Sequence, residues 1–421
     1  MASQLSKLAF WRSTSSSSDI PSLLDITLDD IAAGLDSGKF TVLDLVRAYL
    51  KRINEVDDHF RSIPKTNSDA EAIAQSLDDE IKTPLHGVPI VFKDCIVTHD
   101  MEATSGSTVL LGAKPANEST VAANLRRAGC VILGKAAQTE WQNFRYTNQP
   151  TGWTARRGQC TGTFFPNMKA SGSSIGSAVA TSLGLSFAGV GAETDGSICN
   201  PAGKASIVGL KATAGLISRD GVIPNSNRLD ALGIMARNVK DAATFLSAMA
   251  GKSEQDPLTN EIPFEKIPNY PLSCATSDLK GIKIGVPTSL VGRLEPEEAR
   301  SFEVAVSVLE MLGATVIHNV ALLAEERWRA TTRIRTLQDL IDLTKADPNE
   351  DYPNHNVESF EIAANLDPAS QEFKELEAAR DFVKGEGGLQ AAMDRNQLDL
   401  FVTPTYSDIP GDLITVGPGI P

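Results

Sequence analysis

A Gly- and Ser-rich segment of the sequence has the residue types of a nucleophile turn. Residues 171–180 read SGSSIGSAVA, an apolar run follows at 185–191, and the segment ends in ETDGS at 193–197. A tight turn after a buried strand points several backbone N–H groups at one spot, where each donor to a developing oxyanion contributes about 2.7 to 4 kcal/mol of transition-state stabilisation. Ser197 stands at that spot as a candidate nucleophile. On composition alone, the alternative that these residues only form a turn stays open.

A serine needs a base to act as a nucleophile at neutral pH, and here a lysine is the residue type at hand. Histidine is the common base, but none lies between His99 and His318. Lys93 ends the apolar run 88–92, and burial lowers the pKa of a lysine because its charged form loses hydration. Lys93 is therefore the candidate base. The alternative is that Lys93 and Asp94 close a strand in solvent.

The elements that position these residues alternate between helices and strands. Apolar residues at three- and four-residue steps predict two helices within 27–56, broken near Gly38, and another over 120–128. Further helical stretches are predicted over 296–312 and 372–395. Short apolar runs predict strands at 88–92, 130–133, 185–191, 282–286, 314–320 and 398–402. This pattern predicts the α/β class, with a flexible segment 1–24 and one domain over 25–421.

Three motifs, in order and in spacing, make the sequence resemble the amidase signature family. They are GVPIVFKD at 87–94, GSSIGSA at 172–178 and ETDGSICNPA at 193–202, and the resemblance is close over residues 25–250. It implies an α/β/α sandwich around a central mixed, twisted β-sheet. It also implies hydrolysis of a carbon–nitrogen amide bond by an acyl-enzyme route, with no metal and no organic cofactor.

The resemblance implies a role for each candidate residue. Ser197 attacks the amide carbonyl, and Ser173, which the family holds with a cis peptide bond, relays its proton to neutral Lys93. The resulting ammonium returns a proton to the leaving amine. The oxyanion hole maps onto the backbone N–H groups of Thr194, Asp195, Gly196 and Ser197. The candidate substrate contacts are Ser174 and Cys95.

The sequence departs from the family pattern at the site and near its end. Asp195 stands in the oxyanion turn where the family has glycine, and Cys95 replaces an asparagine. Family members continue through further elements after the strand at 398–402 and an apolar run at 413–416. We therefore expect a shortened form with an incomplete sheet edge and pocket wall, and reduced stability or activity.

Composition limits the partners. The 39 basic and 53 acidic residues give a formal charge of −14, which disfavours nucleic acid and anionic membranes and favours a small neutral or cationic substrate. The resemblance implies that this substrate is an amide and that water is the second reactant. Five cysteines without a C-x-x-C pair argue against a disulfide framework and a structural zinc site. No stretch approaches the ~20 apolar residues of a membrane span. A cytoplasmic location is predicted; organellar import and a homodimer are left open.

Two other classes of function stay open beside the amidase. One is the A-type subunit of a tRNA-dependent amidotransferase, which shares these motifs but works in a complex. The other is a catalytically impaired homologue that acts as a binding protein.

Two further motifs are rejected. GSSIG at 172–176 formally matches the nucleophile elbow of α/β-hydrolases, with Ser174 as nucleophile and His318 or His355 as base, but a loop precedes it where an elbow needs a strand. GCVILGK at 129–135 mimics a phosphate loop, but its interior is an apolar strand.

Overall fold

The computed structural model describes residues 20–77, 83–113, 117–146, 149–169, 171–275, 278–287, 291, 294, 296–320 and 389–403, with a few positions between 345 and 361. Several predictions fall outside these residues. They concern the segment 1–19, His355, the apolar run at 413–416 and most of the helical stretch 372–395.

The chain begins with the two predicted lead-in helices, α1 (Leu28–Asp36) and α2 (Val42–Phe60). Each starts with a reciprocal capping box, Thr27 with Asp30 and Thr41 with Asp44, so the first backbone N–H groups of both helices have acceptors. Gly38 lies between them with φ of 66°, a left-handed conformation that favours glycine. The predicted break near this residue is confirmed.

A six-stranded sheet forms the centre of the fold, in the order β1–β3–β2–β6–β8–β7. Its strands are β1 (Lys65–Thr66), β2 (Pro89–Lys93), β3 (Val131–Ala136), β6 (Ala188–Glu193), β7 (Val208–Lys211) and β8 (Ala231–Ala236). β2 runs parallel to β3 and β6, whereas β1, β7 and β8 pair antiparallel with their neighbours. The predicted α/β class with a central mixed sheet is confirmed.

Helices cover this sheet. Every residue of β2, β3, β6 and β8 is buried, so both faces of the centre of the sheet are covered. The covering helices include α2, α5 (Ile175–Ser182) and α7 (Val239–Met249), which contact the central strands. The other α-helices described in this part of the chain are α3 (Ala70–Ser76), α4 (Thr120–Arg127) and α6 (Cys199–Lys204). A short hairpin joins β4 (Trp153–Thr154) to β5 (Gly158–Gln159).

The later strands form a sheet of their own. β10 (Thr315–Ile317), β9 (Lys283–Gly285) and β11 (Leu400–Phe401) pair in parallel, and in the described part of the chain they do not join the six-stranded sheet. The connection from β9 to β10 runs through α8 (Pro296–Met311), a crossover of the kind that parallel strands require. The last described helix is α9 (Leu389–Asn396). The predicted strands at 282–286, 314–320 and 398–402 are thus present, in shorter form.

Arg237, directly after β8, ties three distant segments together. Its guanidinium donates to the carbonyl oxygens of Ile26 (2.9 Å), Thr181 (3.2 Å) and Phe187 (3.2 Å). It also lies 4.9 Å from the centre of the Phe187 ring. One side chain thereby joins the start of the lead-in, the end of α5 and the entry to β6.

Candidate active site

Lys93 is the last residue of β2, and its side chain is fully buried. Its Nζ is hydrogen-bonded to Ser173 Oγ at 2.7 Å and donates to the carbonyl oxygen of Ala192 at 2.7 Å. Because β2 and β6 run parallel as neighbours, their carboxyl ends meet at one edge of the sheet. The alternative that Lys93 closes a strand in solvent is wrong for this structure.

The surroundings of Lys93 favour its neutral form. Burial lowers the pKa of Lys93 below its usual value of 10.5, because the ammonium loses its hydration. Cys95, Asp230 and Glu193 act in the opposite direction, since a negative charge near the ammonium stabilises it. The net direction is downward, as a lysine that accepts a proton near neutral pH requires.

Ser173 and Ser174 lie in the loop that leads into α5. The peptide bond between Gly172 and Ser173 is cis. The Ser173 carbonyl accepts from Thr139 N (3.0 Å), and the Ser174 N–H donates to the carbonyl of Ser197 (3.1 Å). A backbone hydrogen bond therefore joins this loop directly to the turn that carries Ser197.

The turn between β6 and α6 holds Ser197, whose side chain is almost completely buried. Within the described residues, no hydrogen bond joins its hydroxyl to Ser173. Gly196 has φ of 74°, so a side chain there would be strained. The N–H groups of Gly196 and Ser197 have no acceptor among the described residues, whereas Asp195 is exposed. The turn thus leaves backbone donors open to a ligand, as an oxyanion hole requires.

The side chain of Glu193 binds the C-terminal end of this turn. Its carboxylate, 3 % exposed, accepts from Ile198 N (2.6 Å) and Cys199 N (3.0 Å). These N–H groups follow Ser197 directly and lie at the start of α6, where a negative charge is stabilised. The carboxylate therefore fixes the chain on the C-terminal side of the candidate nucleophile.

Glu193→Ala is expected to lower the free energy of unfolding by about 2 to 4 kcal/mol, because two N–H groups at the site lose a charged acceptor. Glu193→Gln keeps an acceptor oxygen and is expected to cost about 1 kcal/mol. Urea unfolding of both variants measures the difference. An Ala variant as stable as the wild type would contradict this account of the turn.

An open pocket of ≈ 210 Å³ borders the site at Ala192 and Asp230. Its wall also includes Arg219, Asp220 and Asp256. Arg219 pairs with Asp256 through two hydrogen bonds of 3.1 Å, so the carboxylates of Asp220 and Asp230 leave the wall with a negative balance. Such a wall favours a neutral or cationic group over an anionic one.

The candidate substrate contacts are both fully buried. Ser174 Oγ donates to the carbonyl of Ala192 (3.1 Å), which also binds Lys93. Cys95 lies two residues after Lys93, and burial raises the pKa of its thiol to about 11. The structure brings both residues to the edge of the sheet that carries Lys93, and their contact with substrate stays a prediction.

The structure does not support the elbow motif at 172–176. Residues 161–169, which precede it, contain no strand, as expected from their sequence, and a helix begins immediately after Ser174. His318 follows β10 in the separate three-stranded sheet. Residues 129–135 are not a phosphate loop, because β3 runs through them.

Two acidic residues of the site were missed by sequence reasoning. Glu193 stands in a motif, but it is the last residue of β6 and lies five residues before Ile198, so no local cap pattern reveals its contacts with the start of α6. Asp230 lies 36 positions from Thr194, and its Oδ1 accepts a hydrogen bond of 2.5 Å from the Thr194 hydroxyl. No local pattern reveals that contact.

Comparisons with known proteins find amidases by sequence and by fold. The family model described as Amidase matches residues 44–396. A putative amidase of Arthroderma benhamiae is 36 % identical, over 92 % of this chain and 75 % of the relative. The crystal structure of native peptide amidase from Stenotrophomonas maltophilia superposes with a TM-score of 0.81 at 33 % identity, covering 92 % of this chain and 87 % of that one.

The A-type subunit of the glutamyl-tRNA(Gln) amidotransferase of Geobacillus thermodenitrificans is a further relative. It is 35 % identical over 70 % of this chain and 60 % of its own length. With the family model covering most of the sequence, the chain belongs to the amidase signature family. None of the helices in the described ranges is long and apolar enough to cross a membrane.

Proposed function

We propose that the protein hydrolyses a non-peptide or peptide-terminal carbon–nitrogen amide bond through an acyl-enzyme on Ser197. The observation that carries this proposal is the fully buried lysine Lys93, 2.7 Å from the hydroxyl of Ser173. A lysine in water keeps its proton at neutral pH, whereas a lysine whose pKa is lowered by burial loses its own proton more readily and then accepts one from a serine. The hydrogen bond from the Ser174 N–H to the Ser197 carbonyl supports the proposal as well, because it joins the turn of the candidate nucleophile to the loop that carries Ser173.

The proposed reaction proceeds in two halves. Ser197 Oγ attacks the amide carbonyl while its proton passes to Ser173, whose own proton passes to neutral Lys93. The N–H groups of the turn, from Thr194 to Ser197, stabilise the oxyanion. The Lys93 ammonium then returns a proton through Ser173 to the leaving amine, and the C–N bond breaks. Water hydrolyses the acyl-enzyme by the same route, and no metal or organic cofactor takes part.

The negative pocket wall supports a small neutral or cationic amide as substrate. Asp220 and Asp230 are not balanced by Arg219, which is paired with Asp256. The similarity to a peptide amidase supports including C-terminal peptide amides among the candidates. A mass-spectrometric screen of aliphatic, aryl and peptide-terminal amides, each with a neutral and a cationic member, identifies the class by the acid or amine released.

The second candidate is an A-type amidotransferase subunit, favoured by the similarity to the Geobacillus protein. Such a protein releases ammonia from an amide donor for use by its partners. A stoichiometric partner that copurifies with the chain, together with activity on glutamine alone, would favour this candidate over the free-standing amidase.

The proposal is tested by a fluorophosphonate probe, which reacts with an activated serine. We expect the probe to label the wild type, and Ser197→Ala to lose both the label and amide hydrolysis. Ser174→Ala is the matched control, because this buried serine lies in the adjoining loop and is not the proposed nucleophile. Label that persists in Ser197→Ala and disappears in Ser174→Ala would overturn the assignment of the nucleophile.

A further inference from the structure

The carboxylate of Asp230 accepts a hydrogen bond from the Thr194 hydroxyl at the start of the oxyanion turn, and the proposed reaction gives it no part. We propose that Asp230 is a positioning residue that holds the turn through the hydroxyl of Thr194. This inference rests on the proposed function, because it concerns the same turn.

Three donors converge on this carboxylate. The Thr194 hydroxyl donates to Oδ1 at 2.5 Å, and the backbone N–H groups of Asn225 and Ser226 donate to Oδ2 at 2.8 and 2.9 Å. Both oxygens are therefore used as acceptors. An asparagine has one acceptor oxygen, so it cannot serve the hydroxyl and the two N–H groups together. The site requires a carboxylate.

The sheet explains why Asp230 reaches Thr194. Glu193 and Ala231 are the last paired residues of β6 and β8. Thr194 directly follows β6 and Asp230 directly precedes β8, so the two residues face each other just beyond the end of the antiparallel ladder. The loop at 225–226 anchors Asp230 in turn.

The turn thus has an anchor on each side. Asp230 holds the side chain of Thr194 before the open donors, and Glu193 holds the N–H groups of Ile198 and Cys199 after them. Donors to an oxyanion act only when they are already aimed at it, because a displacement of about 1 Å costs about 100-fold in rate. The two anchors fix the stretch that carries Gly196 and Ser197.

Asp230 also acts on Lys93 by its charge. The charged or titratable groups that act on Lys93 are Cys95, which follows β2, Glu193 at the end of β6, and Asp230 before β8. The Asp230 carboxylate raises the pKa of Lys93 against the larger effect of burial. It therefore stabilises the ammonium that forms when Ser197 loses its proton.

The first test separates the effect of the Thr194 hydroxyl from the effect of the shape of the side chain. Thr194→Val removes the donor and keeps the branched side chain, whereas Thr194→Ser keeps the donor. We expect kcat for amide hydrolysis to fall about tenfold or more in the Val variant, with KM nearly unchanged, and to recover in the Ser variant. Equal kcat in wild type and Thr194→Val would overturn the inference, while probe labelling at Ser197 would leave the proposed function standing.

The second test removes the negative charge of Asp230. Asp230→Asn is expected to lower kcat and to move the acid limb of the pH–rate profile to lower pH, because loss of the carboxylate lowers the pKa of Lys93 further. Asp29→Asn is the control, since this exposed carboxylate pairs with Lys240 on α7, outside the pocket wall, and is not among the groups that act on Lys93. An acid limb that stays in place in Asp230→Asn would overturn the inference. A wild type that neither reacts with the probe nor hydrolyses amides would overturn both proposals.

Discussion

Lys93→Met is expected to lose amide hydrolysis by about 10²- to 10⁴-fold in kcat/KM while the protein keeps its fold. Methionine has an unbranched side chain of similar length and fills the buried site, but it cannot accept a proton from Ser173. The variant is also expected to be more stable than the wild type at neutral pH, because it no longer buries an amine. That gain should disappear above about pH 10.5, where an unfolded lysine is neutral as well. Steady-state kinetics and urea unfolding measure the two effects.

The pH dependence of the wild type provides the companion measurement. As the pH falls through the pKa of Lys93, the amine becomes protonated and can no longer act as the base, so the rate should fall. Lys135→Met is the matched control, because Lys135 is also fully buried and burial lowers its pKa to about 8. The acid limb should persist in Lys135→Met. A flat rate between about pH 5 and 9 in the wild type would contradict a lysine base.

Gly176→Ala is expected to destabilise the protein by about 4 kcal/mol or more, a loss that few single substitutions cause. Gly176 lies in α5, and its N–H donates to the carbonyl of Ala137 at 2.7 Å. An added Cβ would overlap the backbone of Ala137 and Ser62. Backbone atoms on two sides cannot move away, so this overlap outweighs the gain of about 1 kcal/mol in helix propensity.

The control for this prediction is Gly34→Ala, another buried glycine within a helix. An added Cβ at Gly34 would meet the ring of Phe40 rather than backbone. A ring can rotate, so the expected loss is smaller. Urea unfolding of both variants measures the difference, and a Gly176→Ala protein as stable as the wild type would show that α5 is not seated as closely as described.

The sequence predicted those elements whose signal is local. The lead-in helices have apolar residues at helical spacing and a threonine cap before each, and the strands at 88–92 and 130–133 are apolar runs bounded by turns. β7 and β8 were not predicted as strands. β8 reads ALGIMA and β7 reads VGLK, sequences without alternation, and their conformation follows from pairing with each other and of β8 with β6.

The candidate site was predictable to the extent that motifs carry it. Lys93, Ser173 and Ser197 stand in three motifs, and the structure brings the first two into contact. Their catalytic roles stay predictions. Asp230 could not be predicted, because its contact with Thr194 depends on where an antiparallel ladder ends. The separate sheet of β9 to β11 could not be predicted either, since an apolar run does not show which strand it pairs with.

The three-way contact of Arg237 has a consequence for the order of folding. Its bond to the carbonyl of Ile26 closes a loop of 211 residues. Closing so long a loop has an entropic cost that is repaid only once the strand before Arg237 has found its partners. We therefore expect the helical lead-in to dock late. Until then, the newly made chain exposes the apolar sides of α1 and α2, and this interval is where aggregation competes with folding.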